Sequence, residues 1–334
     1  MPSQLILGAT LQALGSPDEF VANVRELEHL GLDHVWVADS GLLASDVYVY
    51  LALAAAASQR VILGTNVTNP QTRHPAITVN AIASLNRIAE GRICLGLGAG
   101  GGPLQELGIP VGGLDGVRET VELARRLFSG ERVDFDGRTM TIRGAFLRYG
   151  LNESRSPKIY VTASGPRMLQ LAGELADGVL VQCGAFAEGI EFARAQVKLG
   201  ADRVGRSLDD VDFAWLVFGV LEDDLSRARD IGRTMASWFP YRSDVYCRLA
   251  GIPAEIVSAV REAYNGGEFS EAYAAHALTS DEMVDKFVIA GPVDVWSDRF
   301  AMAREHGIHH LEIFGLGDRM RLYRTIADIW LERR

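Results

Sequence analysis

The residues of this chain that can do chemistry are concentrated in short polar loops that directly follow apolar, strand-like runs. The clearest loop begins after the β-branched run Val61–Leu63, where the sequence breaks into GTNVTNPQTRHP and ends at Pro75. An apolar β-branched run is typical of a strand buried on both faces, and Pro75 suits the first turn of a following helix. Because α/β proteins build their sites at the carboxyl ends of strands, this loop predicts a binding site.

Four other strand ends carry the same kind of loop. Their candidate residues are Asp39, the glycines of Gly98–Gly102, Ser164–Pro166 and Gln182–Gly184. Glycines let a flat ring or a phosphate approach bare backbone, and SGP at the start of a helix offers N–H groups to an anion. Each loop alone also fits an ordinary turn, since Gly, Ser and Pro are turn residues. Their combined occurrence favours a shared site.

Three reactive side chains in these loops have two interpretations each. Asp39 fits a loop or capping carboxylate as well as a group that hydrogen-bonds a ligand. His74 fits either a ligand contact or a residue that fixes its own loop, and Glu106 is a further nearby proton donor. A lone cysteine with apolar neighbours, such as Cys183, is more often buried packing than a nucleophile.

These loops must be positioned by the strands before them, and the chain alternates strands with helices from end to end. Alternation of this kind predicts right-handed βαβ units and a parallel sheet. The early segment LILGATLQALG lacks the GxGxxG of an open dinucleotide-binding sheet, so eight strands favour a closed (β/α)₈ TIM barrel. The predicted strands are Leu5–Thr10, His34–Ala38, Arg60–Thr65, Ile93–Gly98, Lys158–Ala163, Gly178–Cys183, Asp212–Leu221 and His310–Phe314.

Two segments interrupt the alternation. Residues 131–149 alternate in polarity around Asp136 and Gly137, which predicts a β-hairpin insertion. Residues 223–286 are irregular, helical and rich in aromatic side chains, which predicts a helical insertion after the seventh strand that forms a partly apolar substrate wall. Since no linker divides the chain, we expect a single domain over residues 1–334.

The composition excludes several classes of function. A net charge of −10 argues against nucleic acid and anionic membranes as partners. Three separated cysteines without CxxC spacing, and a start without a signal-peptide pattern, predict a protein of the reducing cytoplasm. The seven histidines show no HExxH or HxH spacing, so no metal site is predicted.

Three strings in the sequence resemble one family. TNVTNPQTRHPA at Thr65–Ala76, LGLGAG at Leu95–Gly100 and ASGPRMLQLAGELADGVLV at Ala163–Val181 resemble the bacterial luciferase-like superfamily, in particular its deazaflavin-using branch typified by methylenetetrahydromethanopterin reductase. The likeness runs nearly end to end and includes FVIAGPVDVW at Phe287–Trp296. It implies a TIM barrel that holds coenzyme F-420, an 8-hydroxy-5-deazaflavin, in its mouth.

The resemblance also implies roles for individual residues. A cis non-proline peptide between Asn66 and Val67 is expected to back the ring, and Asp39 to contact it. If a proton is needed, the nearest candidates by sequence are Asp39, His74 and Glu106. The implied cofactor-binding residues are Asp39, Asn66, Val67, Thr68, Gly98, Ala99, Gly100, Ala163, Ser164, Gly165, Pro166, Gln182, Cys183 and Gly184.

The chain departs from this branch at two positions where relatives place an acid. Gly101 stands just after the strand-four glycines, and Ala9 and Thr10 stand at the end of the first strand. We therefore expect a more apolar or self-activating substrate than methylenetetrahydromethanopterin, reduced at a C=C, C=N or C=O bond.

Two alternative functions stay open. One is a monooxygenase that uses reduced FMN on the same barrel, and the other is a non-catalytic flavin-binding homologue. The resemblance also implies a homodimer, with a small molecule as the other partner.

Overall fold

Eight parallel strands close into a barrel with helices around it, as predicted. The structure is a computed structural model that describes residues 5–151, 155–264 and 271–331. The strands are β1 (Ile6–Leu11), β2 (His34–Val37), β3 (Ile62–Thr65), β4 (Ile93–Leu97), β5 (Val133–Asp136), β6 (Thr141–Ala145), β7 (Lys158–Ala163), β8 (Gly178–Val181), β9 (Asp212–Leu221), β10 (Val288–Gly291) and β11 (His310–Leu316).

The barrel closes because each of its eight strands pairs with two neighbours. The ring runs β1, β2, β3, β4, β7, β8, β9, β11 and back to β1, with all of these pairings parallel. β2 shows why these segments form strands, since all four of its residues are buried between the barrel interior and the helices.

The helices follow the strands in the predicted order. They are α1 (Pro17–His29), α2 (Val47–Ala57), α3 (Pro75–Ile88), α4 (Gly102–Glu106), α5 (Gly113–Phe128), α6 (Pro166–Leu175), α7 (Ala187–Arg203), α8 (Leu225–Ala236), α9 (Trp238–Arg242), α10 (Asp244–Leu249), α11 (Ala254–Ala263), α12 (Asp281–Phe287), α13 (Val293–Glu305) and α14 (Arg319–Leu331). Within the described ranges, none of them is both long and apolar enough to cross a bilayer.

Local capping explains where several helices begin. Ser16 accepts a hydrogen bond from the N–H of Glu19 at the start of α1, and Asp46 accepts from the first-turn N–H groups of α2. Pro17 and Pro75 occupy the first positions of α1 and α3, where a missing N–H costs nothing. These caps determine where each strand-end loop ends and the following helix begins.

Among the elements described, β10 and α4 differ most clearly from the prediction. β10 pairs in parallel with the second half of β9, at Phe218 to Leu221, beyond the part of β9 that pairs with β8. α4 starts inside the glycine-dense loop, where a loop without regular structure was expected. The antiparallel pair β5 and β6 lies apart from the barrel, and α8 to α12 occupy most of the irregular segment after β9.

Candidate functional site

A cavity of about 360 Å³ opens at the carboxyl ends of the barrel strands. Its volume lies within the range of small-molecule sites. Loops after five strands line it, and a second wall comes from the segment after β9. The lining residues are Asp39, Val67, Asn69, Gly98, Ala99, Gly100, Gly101, Gly102, Pro103, Val111, Thr162, Ala163, Ser164, Gly165, Met168, Gln182, Trp238, Arg242 and Tyr264.

The fold brings most of the predicted site residues together in this cavity. Those that line it are Asp39, Val67, Gly98, Ala99, Gly100, Ala163, Ser164, Gly165 and Gln182. They come from loops far apart in sequence, and they meet because the carboxyl ends of parallel strands share one rim of a barrel. The peptide bond between Asn66 and Val67 is cis, as predicted.

Some predicted residues support the rim without lining the cavity. The side-chain amide of Asn66 donates to Thr10 Oγ1 at 2.6 Å, which ties the loop after β3 to β1. Thr68 is buried, and its hydroxyl lies 3.0 Å from the hydroxyl of Tyr48. Pro166 is exposed as the first residue of α6. These three residues shape the loops, whereas the cavity wall itself comes from their neighbours.

Cys183 and Gly184 also lie behind the wall. Cys183 is fully buried, and burial raises the pKa of its thiol well above the ordinary value. The carbonyl of Gly184 accepts a hydrogen bond from the indole N–H of Trp215 at 2.9 Å. The structure therefore gives Cys183 a packing environment rather than that of a thiolate nucleophile.

His74 caps a helix. Its Nδ1 accepts a hydrogen bond from the N–H of Ala76 at 3.2 Å, and the side chain is exposed outside the cavity. Glu106, at the end of α4, is exposed as well. Of the proton donors considered from the sequence, Asp39 is the one that lines the cavity.

Asp39 lies in an environment that makes its carboxyl harder to ionise than that of an ordinary aspartate. Burial raises the pKa of this carboxyl above its ordinary value, even though the Thr68 hydroxyl and the N–H of Gly41 stabilise the charged form by hydrogen bonding. The nearby carboxylate of Asp46 raises the pKa further. A carboxyl with a raised pKa in a cavity can retain a proton and donate it to a bound ligand.

Two glycines of the rim, Gly98 and Gly165, differ in whether the structure requires glycine. A β-carbon at Gly98 would lie 2.8 Å from side-chain methyl carbons of both Val67 and Thr162, so packing of the wall itself demands glycine there. Gly165, by contrast, has φ −77° and nothing within 4 Å of the place where a β-carbon would stand. Neither backbone conformation nor packing requires glycine at position 165, and the open space beside it belongs to the cavity.

The second wall comes from residues 223–286, the segment predicted to form a substrate wall, but its individual lining residues were not predicted. Trp238 and Arg242 lie on α9, and Tyr264 follows α11. The aromatic character of this segment was visible in the sequence, but no periodicity distinguished Trp238, which lines the cavity, from the buried Phe239 beside it. Arg242 could not be selected from the sequence, because nothing local marks which arginine of an irregular segment faces a cavity.

A second buried polar cluster lies at the amino-terminal ends of the strands, on the other side of the barrel. His310 Nδ1 lies 2.8 Å from Asp212 Oδ2, and Nε2 lies 2.7 Å from Glu312 Oε1. The Trp36 indole N–H donates to the same Glu312 oxygen at 2.6 Å, and His34 lies beside it. Burial disfavours the imidazolium, but the two carboxylates outweigh it and raise the pKa of His310 to about 10.

Ligand atoms of His34, His310 and Glu312 also lie within 4.8 Å of one another, which is close enough to hold a metal ion. No such site was predicted, because His34 is far from His310 and Glu312 in the sequence and only the fold brings it to them. Both ring nitrogens of His310 are engaged by carboxylate oxygens, so the cluster is arranged as a hydrogen-bonded ion network.

The chain matches one family model and is similar to several known proteins. A family model described as luciferase-like monooxygenase matches residues 5–310. The chain is 32% identical over 289 residues to the 5,10-methylenetetrahydromethanopterin reductase of Archaeoglobus fulgidus, which covers 85% of this chain and 86% of the relative.

Two further comparisons extend this similarity. The chain is 33% identical over 237 residues to the F-420-dependent glucose-6-phosphate dehydrogenase of Beutenbergia cavernae, over 65% of this chain and 68% of the relative. The solved coenzyme F-420-dependent tetrahydromethanopterin reductase of Methanopyrus kandleri superimposes with a TM-score of 0.86 at 26% identity, and the alignment covers 99% of both chains.

Proposed function

The chain belongs to the luciferase-like monooxygenase family, and on that premise we propose that it is a coenzyme F-420-dependent oxidoreductase. In this proposal a hydride passes between the deazaflavin and a small organic substrate with a C=C, C=N or C=O bond. The observation that carries it is the strand-end cavity, which gathers residues from five separate loops into one site. The relatives whose names include coenzyme F-420 support the choice of cofactor.

The residues of the cavity fit a deazaflavin cofactor in shape and in polarity. Val67, Gly98 and Ala99 present small or apolar surface suited to a flat ring. Gly165 has no side chain, and the space beside its backbone is open. This residue lies at the N-terminus of the ten-residue helix α6. A helix N-terminus with free N–H groups favours a phosphate, which coenzyme F-420 carries.

Each wall has a separate task in this proposal. When bound, coenzyme F-420 supplies a two-electron hydride carrier, so the protein needs no redox group of its own. Ala163, Ser164, Gly165 and Gln182 hold the cofactor from the strand-end side. Trp238 and its neighbours on the other wall exclude water, and Asp39, whose carboxyl is harder to ionise than that of an ordinary aspartate, is the proton donor of this proposal.

The experiment for the reaction uses the purified protein under anaerobic conditions. Reduced coenzyme F-420 is mixed with panels of activated alkenes, imines and carbonyl compounds, and its reoxidation is followed by absorbance. The proposal expects protein-dependent reoxidation with at least one class of acceptor. Consumption of oxygen with reduced FMN, together with no reaction of reduced F-420, would instead support the monooxygenase. Homodimer formation stays a prediction, which the solution mass of the protein will test.

A further inference from the structure

We propose that the side-chain amide of Asn69 binds the substrate, and that the substrate carries a carbonyl oxygen that gains negative charge as the hydride is added. This inference rests on the proposed function, since it takes reduced coenzyme F-420 as the source of the hydride. It narrows the substrate from any C=C, C=N or C=O compound to an aldehyde, a ketone or an alkene conjugated to a carbonyl group.

The amide of Asn69 has a fixed orientation. Asn69 is buried and lines the cavity. Its Oδ1 atom accepts hydrogen bonds from the backbone N–H groups of Gln71 and Thr72, both at 2.9 Å. Because a backbone N–H can only donate, these two bonds determine which branch of the planar amide is the oxygen. The nitrogen Nδ2 therefore lies on the branch that does not bond the loop.

The Nδ2 atom is open to the cavity. It forms no hydrogen bond with any residue of the described ranges. It is also absent from the described side-chain atoms that are enclosed without a partner. A polar atom that is neither bonded nor enclosed has access to open space, and the open space beside Asn69 is the cavity. Asn69 thus offers two N–H donors to a ligand.

The loop that carries Asn69 is tied to β4. The N–H of Thr68 donates to the carbonyl of Gly96 at 3.0 Å, and the N–H of Gly98 donates to the carbonyl of Thr68 at 2.9 Å. These bonds continue the parallel pairing of β3 and β4 as far as the residue before Asn69. A donor held on such a support loses little freedom when it binds a ligand, so its full strength is available at the reacting group.

Asn69 lies where the two walls of the cavity meet. Its β-carbon is 3.7 Å from the place where a β-carbon of Gly100 would stand. The corresponding place at the next residue, Gly101, is 2.8 Å from Nη2 of Arg242, which belongs to the second wall. The inference therefore puts the substrate between the cofactor and the second wall, with its oxygen on the amide of Asn69.

The chemistry explains why an N–H donor selects a carbonyl compound. The hydride and its electron pair pass from the reduced deazaflavin to the carbonyl carbon, the π pair of the C=O bond moves to oxygen, and the oxygen then takes up a proton. In a conjugated alkene the hydride adds to the β-carbon, the charge again reaches the carbonyl oxygen, and a proton at the α-carbon completes the reduction. A hydrogen bond from Asn69 strengthens as this charge grows. An isolated alkene and an iminium nitrogen have no lone pair to accept it.

The test of binding compares p-nitrophenolate, a planar oxyanion, with p-nitroanisole, in which the same oxygen is methylated and uncharged. Affinities are measured by calorimetry at a pH where the phenol is ionised, for the cofactor-free protein and for the protein loaded with coenzyme F-420. We expect p-nitrophenolate to bind at least about tenfold more tightly in both states, which is the lower end of what a hydrogen bond to a charged group contributes. Equal affinities in the cofactor-free protein would overturn the inference.

Three variants locate the source of this preference. Asn69→Asp keeps an oxygen for the N–H groups of the loop but replaces the donor, so it should fold normally and lose the preference. Asn69→Ser also keeps an acceptor, adds no charge and should lose the preference as well, which separates loss of the donor from charge repulsion. The matched control is Asn80→Asp, because Asn80 is an exposed residue of α3 whose Oδ1 accepts from the Tyr149 hydroxyl. A preference that survives in both Asn69 variants would contradict the inference.

Turnover gives an independent readout. For a carbonyl acceptor found in the reoxidation assay, Asn69→Asp should lower kcat by about 10²-fold with a smaller change in KM, because the hydrogen bond is strongest in the transition state. Asn80→Asp should leave both constants unchanged. Reoxidation by isolated alkenes or iminium compounds alone, with none by carbonyl compounds, would also overturn the inference.

The protein loaded with coenzyme F-420 separates this inference from the proposed function. If the preference for p-nitrophenolate disappears on loading, and the dissociation constant of F-420 rises at least about tenfold in Asn69→Ser, the amide holds the cofactor and the inference fails. A preference that persists on loading, with an unchanged F-420 constant in that variant, supports substrate recognition. If the wild-type protein fails to bind F-420, the proposed function fails, whereas the cofactor-free comparison still decides whether Asn69 binds an oxyanion.

Discussion

His310 Nδ1 lies 2.8 Å from Asp212 Oδ2 at the end of the barrel remote from the cavity, and both side chains project from the first residues of their strands. The second ring nitrogen of His310 meets Glu312, so one imidazole joins two carboxylates inside the barrel. A histidine held in this way binds its proton more tightly in the folded chain than in the unfolded one. The consequence is a dependence of stability on pH.

We predict that the free energy of unfolding falls as pH rises from about 6.5, the ordinary pKa of histidine, to about 10, the pKa of His310 in the fold. Below that window both states hold the proton, and the contribution of His310 to stability is complete. Replacing His310 by Gln should destabilise the protein by about 3–5 kcal/mol at pH 6 and flatten this part of the profile.

The control for this prediction is His309→Gln. His309 is the exposed neighbour of His310, and its replacement changes the same residue type at the surface. Urea unfolding at a series of pH values gives the free energy of unfolding of the wild type, of His310→Gln and of His309→Gln. A His310→Gln profile parallel to that of the wild type would show that His310 is not the group responsible.

Filling the space beside Gly165 should block the cofactor without harming the fold. Gly165→Leu is expected to weaken coenzyme F-420 binding by at least about tenfold, and Gly165→Ala by less, because the backbone conformation accepts either side chain. Fluorescence titration gives the affinities and thermal unfolding checks the fold. Normal F-420 binding by a stably folded Gly165→Leu variant would place the cofactor elsewhere.

Asp39→Asn should separate proton donation from binding. Burial raises the pKa of Asp39, so the protonated form persists to higher pH than for an ordinary aspartate and is lost as pH rises through that pKa. The rate of the wild type should therefore fall as pH rises through the pKa of Asp39. The variant should be slower by about 10²-fold or more, and its rate should not show this fall. The rate of reoxidation of reduced F-420 is measured against pH, with F-420 affinity measured in parallel. A variant with the wild-type rate and profile would exclude Asp39 as the donor.

His74 should matter for stability through its cap on α3. Replacement by Ala is expected to cost about 0.5–2 kcal/mol of unfolding free energy, and replacement by Asn to recover most of it, because Asn also accepts a hydrogen bond from a first-turn N–H. Urea unfolding measures the loss, and the F-420 assay should be unchanged in both variants. A loss of activity in the stable Asn variant would restore a catalytic role for His74.

The sequence predicted the barrel and much of one cavity wall for a physical reason. Buried parallel strands are continuously apolar and end abruptly at polar loops, so both the strands and their carboxyl ends can be located from local pattern. Asp39 and Gly165 were found in this way, and both line the cavity.

The remaining features depend on contacts between distant residues. The hydrogen-bonded network joins Asp212 to His310 and Glu312, and no spacing in the sequence relates Asp212 to the other two. Arg242 lies in a segment without regular periodicity, and only its approach to Gly101 marks it. β10 is four residues long and follows α12 directly, so its apolar run reads as the end of a helix. The buried network, the position of Arg242 and the strand β10 are all determined by contacts between residues that are distant in the sequence.

The central claim is that the strand-end cavity binds coenzyme F-420, and a fluorescence titration of the wild-type protein with F-420 and with FMN tests it most directly. The account predicts saturable quenching by F-420, at least about tenfold tighter than any binding of FMN, with the difference lost in Gly165→Leu. Tight binding of FMN with no binding of F-420 would contradict it.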